Sequence, residues 1–303
     1  MIRRAGTALL VVALAGAVAL SSLGSGDRAE RAAAEPLFEV GLAHAGYVPT
    51  LDGSKPIFVL VLGDNYRKKI EESHLTDSIH VVGINPAKNQ ASILGFPRDS
   101  WVPIPGRGNA KINEAYDAGG AKLAIQTIED LTGLTMDYYV VTGFEGFKSI
   151  VTEVGGVQVN VPYPIDDKSS KAHFKKGKTD MTGKEALSFV RSRYDVPNGD
   201  FSRSENQGLF LTSMLAQMNK IYKRDPSVIF RYLGAGMRNT NTDVPFDQLL
   251  KLAFLASQIP AKGVRNVVAP GSIGNAGPVS IVKLSSGAKR FYKDMKADGL
   301  IGK

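Results

Sequence analysis

The sequence contains no cysteine, and this absence excludes several kinds of chemistry. Without thiols the protein can form no disulfide bond, no thiolate nucleophile and no cysteine-ligated zinc site. Histidine is also scarce, and the few histidines lie too far apart to suggest a metal-binding motif: His44, His74, His80 and His173. The lack of cysteine fits an exported protein, which then has no thiol to oxidise outside the cell.

Common nucleotide-binding and hydrolase motifs are absent as well. The 303 residues contain no GxxxxGKS/T, GxGxxG or GxSxG sequence, so P-loop, dinucleotide-binding and α/β-hydrolase sites lack their loops. A content of 43% hydrophobic and 22% charged residues is typical of a folded globular protein. The formal net charge of +8 favours an acidic partner, such as an anionic lipid, a phosphate-bearing glycan or nucleic acid.

The N-terminus predicts export. Arg3 and Arg4 precede an uncharged, mostly apolar stretch over 5–23, which as a helix would span roughly 28 Å, about one hydrocarbon core. The two arginines favour a cytoplasmic amino end. We therefore expect 1–24 to be a short cytoplasmic tail and a membrane anchor, in a single-pass type II protein of the cell membrane.

The remaining chain is then expected outside the cytoplasm. Residues 25–52 are predicted as an extracytoplasmic linker, and 53–303 as the catalytic domain. A cleaved signal peptide is the alternative to the anchor, because Ala17-Val18-Ala19 matches an A-x-A cleavage pattern. Either outcome exports the folded domain, so nucleic acid is not expected as a partner.

From residue 56 the sequence predicts alternating strands and helices. A continuous apolar run over 57–62 is typical of a fully buried strand. Strands over 79–84 and 91–96 are joined by a turn and predict a hairpin. The elements that follow are a helix over 112–131, a strand over 138–141, a helix over 144–154 and a strand over 157–161. This order predicts an α/β sandwich with a mixed sheet. Capping boxes predict two later helix starts, at Thr182 with Glu185 and at Ser202 with Glu205.

Charged residues lie at the ends of the first three strands. Asp64 follows the first strand, Asp77 precedes the second, and Arg98 and Asp99 follow the third. In a hairpin the start of one strand lies beside the end of its partner, so Asp77 and Arg98 are expected at one edge of the sheet. Asp64 joins them if the first strand runs parallel to the third. Two carboxylates there would suit Mg²⁺. The alternative is that both aspartates are turn residues, which aspartate favours.

A second charged cluster lies between residues 191 and 207. Arg203 is predicted in the first turn of a helix, where a cation opposes the helix dipole, and Gln207 lies one turn later on the same face. Such a helix start is a candidate anion site. A solvated basic face is the alternative, and Arg191 and Arg193 follow a predicted helix, where cations are favourable anyway.

Six motifs in register resemble the LytR-CpsA-Psr family of bacterial cell-wall enzymes. The resemblance covers about 56–223 closely and continues weakly to near 300. The motifs are Phe96-Pro97-Arg98-Asp99-Ser100; Lys111-Ile112-Asn113-Glu114-Ala115-Tyr116; Tyr138-Tyr139-Val140-Val141 with Phe144-Glu145-Gly146-Phe147; Gly155-Gly156-Val157 with Val159-Asn160-Val161-Pro162; Gly183-Lys184-Glu185-Ala186-Leu187 with Arg191-x-Arg193-x-Asp195; and Gly199-Asp200-Phe201-x-Arg203-x-x-x-Gln207.

The resemblance implies an α/β/α sandwich with a central mixed sheet and an N-terminal transmembrane helix. It also implies a phosphotransferase that moves a glycopolymer from a polyprenyl pyrophosphate onto a peptidoglycan hydroxyl, with an apolar channel for the lipid. Asp64 and Asp77 match the family's Mg²⁺ ligands. Arg98 and Arg203 complete the implied catalytic set. The residues implied in substrate binding are Asp99, Lys111, Arg191, Arg193, Asp200 and Gln207.

The chain departs from the family pattern at three places. Leu75 and Asn206 stand where arginines are usual, and Gly63 directly precedes Asp64 without the usual residue between them. Basic residues at 67–69 could restore the missing charge. A lipid pyrophosphatase therefore stays an alternative function, as does a non-catalytic wall- or lipid-binding protein. Predicted export argues against a transcriptional attenuator. Teichoic acid, arabinogalactan and capsule all stay open as the polymer.

Overall fold

The computed structural model describes residues 38–65, 74–230 and 240–302. The predicted anchor over 5–23 and the basic residues at 67–69 lie outside these ranges. Among the described residues, no helix combines the length and apolarity that crossing a membrane requires.

Seven strands form a central mixed sheet, as predicted. In order across the sheet they are β12 (Thr240–Thr242), β1 (Phe38–Leu42), β7 (Tyr138–Thr142), β2 (Ile57–Asp64), β3 (Thr76–Asn85), β4 (Gln90–Gly95) and β13 (Val264–Val268). Strand β3 runs antiparallel to both β2 and β4. The other neighbours pair in parallel, except for β1 with β7. As expected, β2 and β4 therefore end at the same edge of the sheet.

Helices cover both faces of this sheet, which gives the expected three layers. They are α1 (Glu114–Thr132), α2 (Phe144–Glu153), α3 (Gly183–Arg191), α4 (Asp200–Tyr222), α5 (Phe246–Ala256) and α6 (Ala288–Asp298). Alternate residues of the buried strands point to opposite faces. Val59 and Val82 pack in the core with α2, α3, α4 and α5, whereas Leu60 and Val81 pack in the core with α1 and α6.

In the described residues, four small two-stranded antiparallel sheets lie outside the central sheet. They pair β5 (Trp101–Ile104) with β6 (Gly108–Lys111), β8 (Val157–Val161) with β11 (Gly177–Met181), β9 (Ile165–Asp167) with β10 (Ala172–Phe174), and β14 (Gly271–Ala276) with β15 (Val279–Leu284).

The domain begins before the predicted boundary at residue 53. Strand β1 lies within 25–52, the predicted linker, yet it pairs with β7 inside the central sheet. Val40 and Leu42 of this strand are buried. The strand is only five residues long, and its Glu39 and Gly41 interrupt the apolar pattern, so composition alone favours a linker.

One of the two predicted helix starts is confirmed and the other is wrong. The Thr182 hydroxyl accepts from the Glu185 N–H, and the Glu185 carboxylate accepts from the Thr182 N–H, which is a complete capping box. Ser202, in contrast, lies inside α4 and is buried. Gly199 is the N-cap of α4, with a φ of 50° that favours glycine.

Candidate active site

Three strand ends bring charged residues to one edge of the central sheet. Asp64 is the last residue of β2, Asp77 is near the start of β3, and Arg98 follows β4. A register shift after Gly63 places Asp64 opposite Thr76, whereas Gly63 lies opposite Ser78. Asp77 is thus the extra residue of a bulge, a feature that redirects a side chain at a sheet edge.

Arg98 is bound to one of the predicted aspartates. Its Nη1 lies 2.5 Å from Asp77 Oδ1, and its Nε lies 3.9 Å from Asp99 Oδ1. Burial alone would lower the pKa of Arg98, but the neighbouring Asp77 and Asp99 raise it above its ordinary value. The Nε atom is buried without a hydrogen-bond partner. This side chain is therefore charged and retains an unused donor.

Asp99 joins three cations of the site. Its two carboxylate oxygens lie 3.0 Å from Lys111 Nζ and 3.1 Å from Arg193 Nη2, in addition to the contact with Arg98. Lys111 reaches this position at the end of β6, where it pairs with Trp101 across the short hairpin. Asp99 therefore organises cations, and a direct substrate contact stays a prediction.

The position of Arg203 is as predicted, but its surroundings differ from those of an open anion site. The residue lies in the first turn of α4, but it is only 5% exposed and bonds the Asp200 carboxylate at the start of the same helix. Asp200 also lies 3.8 Å from Arg193 Nε. Burial lowers the pKa of Arg203, against the opposing effect of Asp200 and Asp77. The alternative that Arg203 belongs to a solvated basic face is excluded, because its side chain is buried and paired with Asp200.

Gln207 and Arg191 approach the same place from two helices. Gln207 Nε2 donates to the backbone oxygen of Asp77 at 3.1 Å and to that of Val190 at 3.0 Å, so it ties α4 to β3 and α3. The Arg191 guanidinium carbon lies 4.5 Å from the centroid of the Phe144 ring. Gln207 therefore connects α4 to β3 and α3 through its side-chain amide. A contact between Gln207 and the substrate stays a prediction.

An apolar cavity opens at this edge of the sheet. Its polar lining comes from Asp64, Asp77, Ser78, Thr142, Arg191 and Gln207. Its apolar lining comes from three helices and from β2, and includes Val61, Leu62, Phe144, Phe147, Leu187, Val190, Phe210 and Leu211. The sequence predicted such a channel without identifying its walls. A long apolar chain and a charged head group would both find matching surfaces here.

All ten predicted site residues thus meet at one edge of the sheet. Eight are linked by the contacts described above: Asp77, Arg98, Asp99, Lys111, Arg193, Asp200, Arg203 and Gln207. Asp64 and Arg191 line the cavity beside them. Five cations face four carboxylates in this set, so their formal charges sum to +1 and an anion is favoured.

Two of the three departures from the family pattern, Asn206 and Leu75, do not join this cluster. Asn206 is fully buried, and its amide oxygen accepts from the Tyr163 hydroxyl at 3.3 Å. Leu75 is partly buried, two residues before Asp77, and its backbone oxygen accepts a hydrogen bond from the backbone N–H of Asn65. Neither residue replaces the charge of an arginine.

Two histidines were missed by the sequence reasoning because they form no spaced motif. His74 Nδ1 lies 2.7 Å from Asp64 Oδ2, so this ring borders the predicted metal ligand. His80 is fully buried in β3. Its Nε2 lies 3.1 Å from the backbone oxygen of Ser204, and its Nδ1 lies 3.1 Å from Ser78 Oγ. The position of His74 directly before the second strand was the one available signal.

Burial gives His80 a testable pH effect. It lowers the pKa of His80 to about 4 from an ordinary 6.5, so the unfolded chain binds a proton in this interval and the folded chain does not. Stability should therefore fall by roughly 3 kcal/mol as the pH drops from 6.5 to 4.

The His80→Gln variant should show a correspondingly weaker loss of stability over this pH interval in chemical denaturation. His173→Gln, which removes an exposed histidine, controls for the change in composition. An equally steep pH dependence in His80→Gln and in the unmodified protein would contradict the buried neutral imidazole.

Asp64 and Asp77 could supply part, but not all, of the coordination shell of a magnesium ion. Asp64 and Asp77 line one cavity, and Mg²⁺ commonly takes one or two carboxylates together with substrate phosphates and water. Asp64 already contacts His74, and Asp77 already contacts Arg98. Within the described ranges, no group of three or more acidic, histidine or cysteine side chains could hold a metal. Substrate phosphate would therefore have to complete such a site.

Curated relatives with matching sequences are cell-wall transferases. The chain is 40% identical over 155 residues to the polyisoprenyl-teichoic acid–peptidoglycan teichoic acid transferase TagU of Bacillus cereus, which covers 51% of the chain and 50% of TagU. It is 30% identical over 233 residues to the transferase TagV of Bacillus subtilis, which covers 74% of the chain and 59% of TagV. The matches thus span about half to three fifths of these relatives.

Solved structures show the same fold. The crystal structure of B. subtilis TagV matches with a TM-score of 0.68 and 28% identity over 81% of the chain and 97% of TagV. A structure of YwtF (TagT) with bound octaprenyl pyrophosphate lipid matches with a TM-score of 0.62 and 22% identity, over 84% and 96% of the two chains. The model of the LytR_cpsA_psr family matches residues 27–294. Because this match covers most of the sequence, the protein belongs to the LytR-CpsA-Psr family.

Proposed function

We propose that the protein is a phosphotransferase that moves a glycopolymer from a polyprenyl pyrophosphate onto a hydroxyl group of peptidoglycan. One observation carries the proposal: a cluster of arginines and aspartates meets the mouth of an apolar cavity. A polyprenyl pyrophosphate has the same division into an apolar chain and a highly charged head. The names of the relatives favour a teichoic acid as the polymer.

The reaction breaks one phosphorus–oxygen bond and forms another. The acceptor hydroxyl attacks the phosphorus that carries the glycan and releases its proton to solvent, and polyprenyl phosphate leaves with the bridging oxygen and its negative charge. Phosphoryl transfer depends mainly on in-line positioning and charge neutralisation. Arg98 and Arg193 can hold the phosphates through forked N–H donors, while Asp99 keeps their guanidinium groups in place.

The same geometry supports a hydrolytic side reaction. If water replaces the acceptor hydroxyl, the enzyme acts as a lipid pyrophosphatase and releases a glycan phosphate. The purified protein should be incubated with a polyprenyl-pyrophosphate-linked glycan, with and without a peptidoglycan fragment. Transfer predicts a glycan–peptidoglycan adduct and polyprenyl phosphate in the presence of the acceptor. Hydrolysis alone would support the pyrophosphatase, and binding without either product would support a non-catalytic protein.

We also propose that one Mg²⁺ ion acts with Asp64 and Asp77. A bound ion would neutralise charge on the leaving phosphate. Asp64→Asn and Asp77→Asn should each abolish most of the stimulation of transfer by Mg²⁺, because each removes one anionic ligand. Activity should be titrated with Mg²⁺ and with a chelator.

Asp130→Asn provides the control for this experiment, since it removes an exposed carboxylate on α1. Thermal melts with Mg²⁺ and a polyprenyl pyrophosphate provide a second measurement. If the unmodified protein transfers equally well in chelator, the two aspartates only position neighbouring basic groups, and the metal proposal is wrong.

We further propose that 5–23 anchors the protein in the cell membrane with its catalytic domain outside. The two preceding arginines and the uncharged stretch support this topology. The protein should stay in the membrane fraction after alkaline washing, and external protease should digest the domain in intact spheroplasts. A mature protein that begins between residues 20 and 35 and washes free would contradict the anchor.

A further inference from the structure

The loop between α3 and α4 carries Arg193 into the active site. It begins after Arg191 and ends at Gly199, the N-cap of α4. In this loop Asp195 adopts a left-handed φ of 54°, which is uncommon for a residue other than glycine. The side chain of Arg193 nevertheless reaches both Asp99 and Asp200. Something must therefore hold the loop backbone in a defined position.

A buried carboxylate provides this hold. Asp167, at the end of β9, is 1% exposed. Its Oδ2 accepts from the backbone N–H groups of Arg193 at 2.7 Å and Tyr194 at 3.0 Å. Its Oδ1 accepts from the backbone N–H groups of Ser169 at 2.9 Å and Ser170 at 3.2 Å. One side chain thus connects its own turn to a loop more than twenty residues away.

The charge of this carboxylate is stabilised by the backbone. Burial alone would raise the pKa of Asp167, but the N–H donors from Arg193, Tyr194, Ser170 and Ser169 lower it below its ordinary value. Asp167 is therefore ionised at neutral pH, and its contribution to stability is lost only as the pH falls through its lowered pKa. Within the described part of the chain, no lysine or arginine forms an ion pair with it.

We propose that Asp167 is a positioning residue for phosphate binding, because it holds the backbone of the loop that carries Arg193. This inference rests on the proposed function of the arginine cluster. An asparagine at this position would present an N–H₂ group to two of the four donors. It would therefore lose one pair of hydrogen bonds and offer only a neutral acceptor to the other pair, so the hold on the arginine loop is weakened in either orientation of the amide.

The first test is a double-mutant cycle on the full-length protein. The affinity for a polyprenyl pyrophosphate should be measured for Asp167→Asn, for Arg193→Ala and for the double variant. Each single variant should bind roughly tenfold to a hundredfold more weakly. The double variant should bind no more weakly than Arg193→Ala, because both changes remove the same contact. Asp166→Asn, which changes the exposed neighbour of Asp167, should bind as the unmodified protein does.

These outcomes distinguish a wrong role for Arg193 from a wrong role for Asp167. If Arg193→Ala binds normally, the assigned role of this arginine in the proposed function is wrong. If Arg193→Ala weakens binding but Asp167→Asn does not, or if the two effects multiply, then Asp167 does not act through Arg193 and the inference is wrong.

Amide hydrogen exchange gives a second test, whose first part uses only the unmodified protein. In the unmodified protein the amides of Arg193 and Tyr194 should exchange at least tenfold more slowly than in an unstructured peptide, since both are bonded to a buried carboxylate. Asp166→Asn should preserve this protection, and Asp167→Asn should remove it. Exchange of both amides at the unstructured rate in the unmodified protein would overturn the inference.

Discussion

Arg98→Ala should lower the turnover of glycopolymer transfer by roughly 30- to 1,000-fold. This range corresponds to about 2–4 kcal/mol in the transition state, the value typical of one preorganised donor to a developing negative charge. Arg98 is suited to this role because it is ionised, bonds Asp77 of the cavity lining and retains a buried, unbonded Nε–H.

The measurement is turnover at saturating polyprenyl-pyrophosphate-linked glycan, beside a thermal melt of each variant. Arg98→Lys keeps the charge but loses the forked geometry, so it should recover only part of the activity. Arg107→Ala removes an exposed arginine from the nearby β5–β6 hairpin and should retain full activity. A folded Arg98→Ala protein with near-normal turnover would exclude the proposed role.

Arg203→Met should destabilise the protein by about 3–5 kcal/mol, because it leaves the buried Asp200 without its closest cation. Arg193 remains 3.8 Å from Asp200, which favours the lower end of the range. Chemical denaturation provides the measurement. We expect the loss of stability to be the main effect of Arg203→Met and to exceed any effect on phosphate binding, because the Arg203 side chain is only 5% exposed.

A compensating variant makes this prediction specific. Arg203→Met combined with Asp200→Asn removes both charges and should recover much of the lost stability. Lys220→Met, an exposed change on the same helix, should alter stability by less than about 0.5 kcal/mol. If Arg203→Met is as stable as Lys220→Met, the pair with Asp200 does not hold the start of α4.

Much of the sheet could be predicted because its strands are buried on both faces. The apolar run over 57–62 and the hairpin over 79–96 contain too little polarity for a surface strand. The hairpin geometry also explains why Asp77 and Arg98 could be expected at one edge. They lie 21 residues apart in sequence and form a hydrogen bond in the structure.

Other features depend on tertiary contacts that no local pattern encodes. Strand β1 pairs with β7 nearly a hundred residues later, so its short, interrupted sequence resembles a linker. The start of α4 was misjudged because Ser202 and Glu205 have the spacing of a capping box, whereas Gly199 supplies the actual N-cap. Helix α1 is also interrupted, at Gly119 and Gly120.

The chemistry of the site was only partly accessible from sequence. Charge and spacing identified the arginines, but not that Asp99 would join Lys111, Arg98 and Arg193. The anchoring of the arginine loop by Asp167 could not be predicted either. It depends on backbone N–H groups, which every residue except proline carries and which therefore leave no signature in the sequence.

A structure with a bound polyprenyl pyrophosphate would test the central claim most directly. The proposal predicts that the pyrophosphate lies within hydrogen-bond distance of Arg98 and Arg193. It also predicts that the prenyl chain fills the apolar cavity lined by Phe144, Phe147 and Phe210. A head group bound elsewhere, or a cavity that stays empty while the lipid binds another surface, would contradict the assignment of this site.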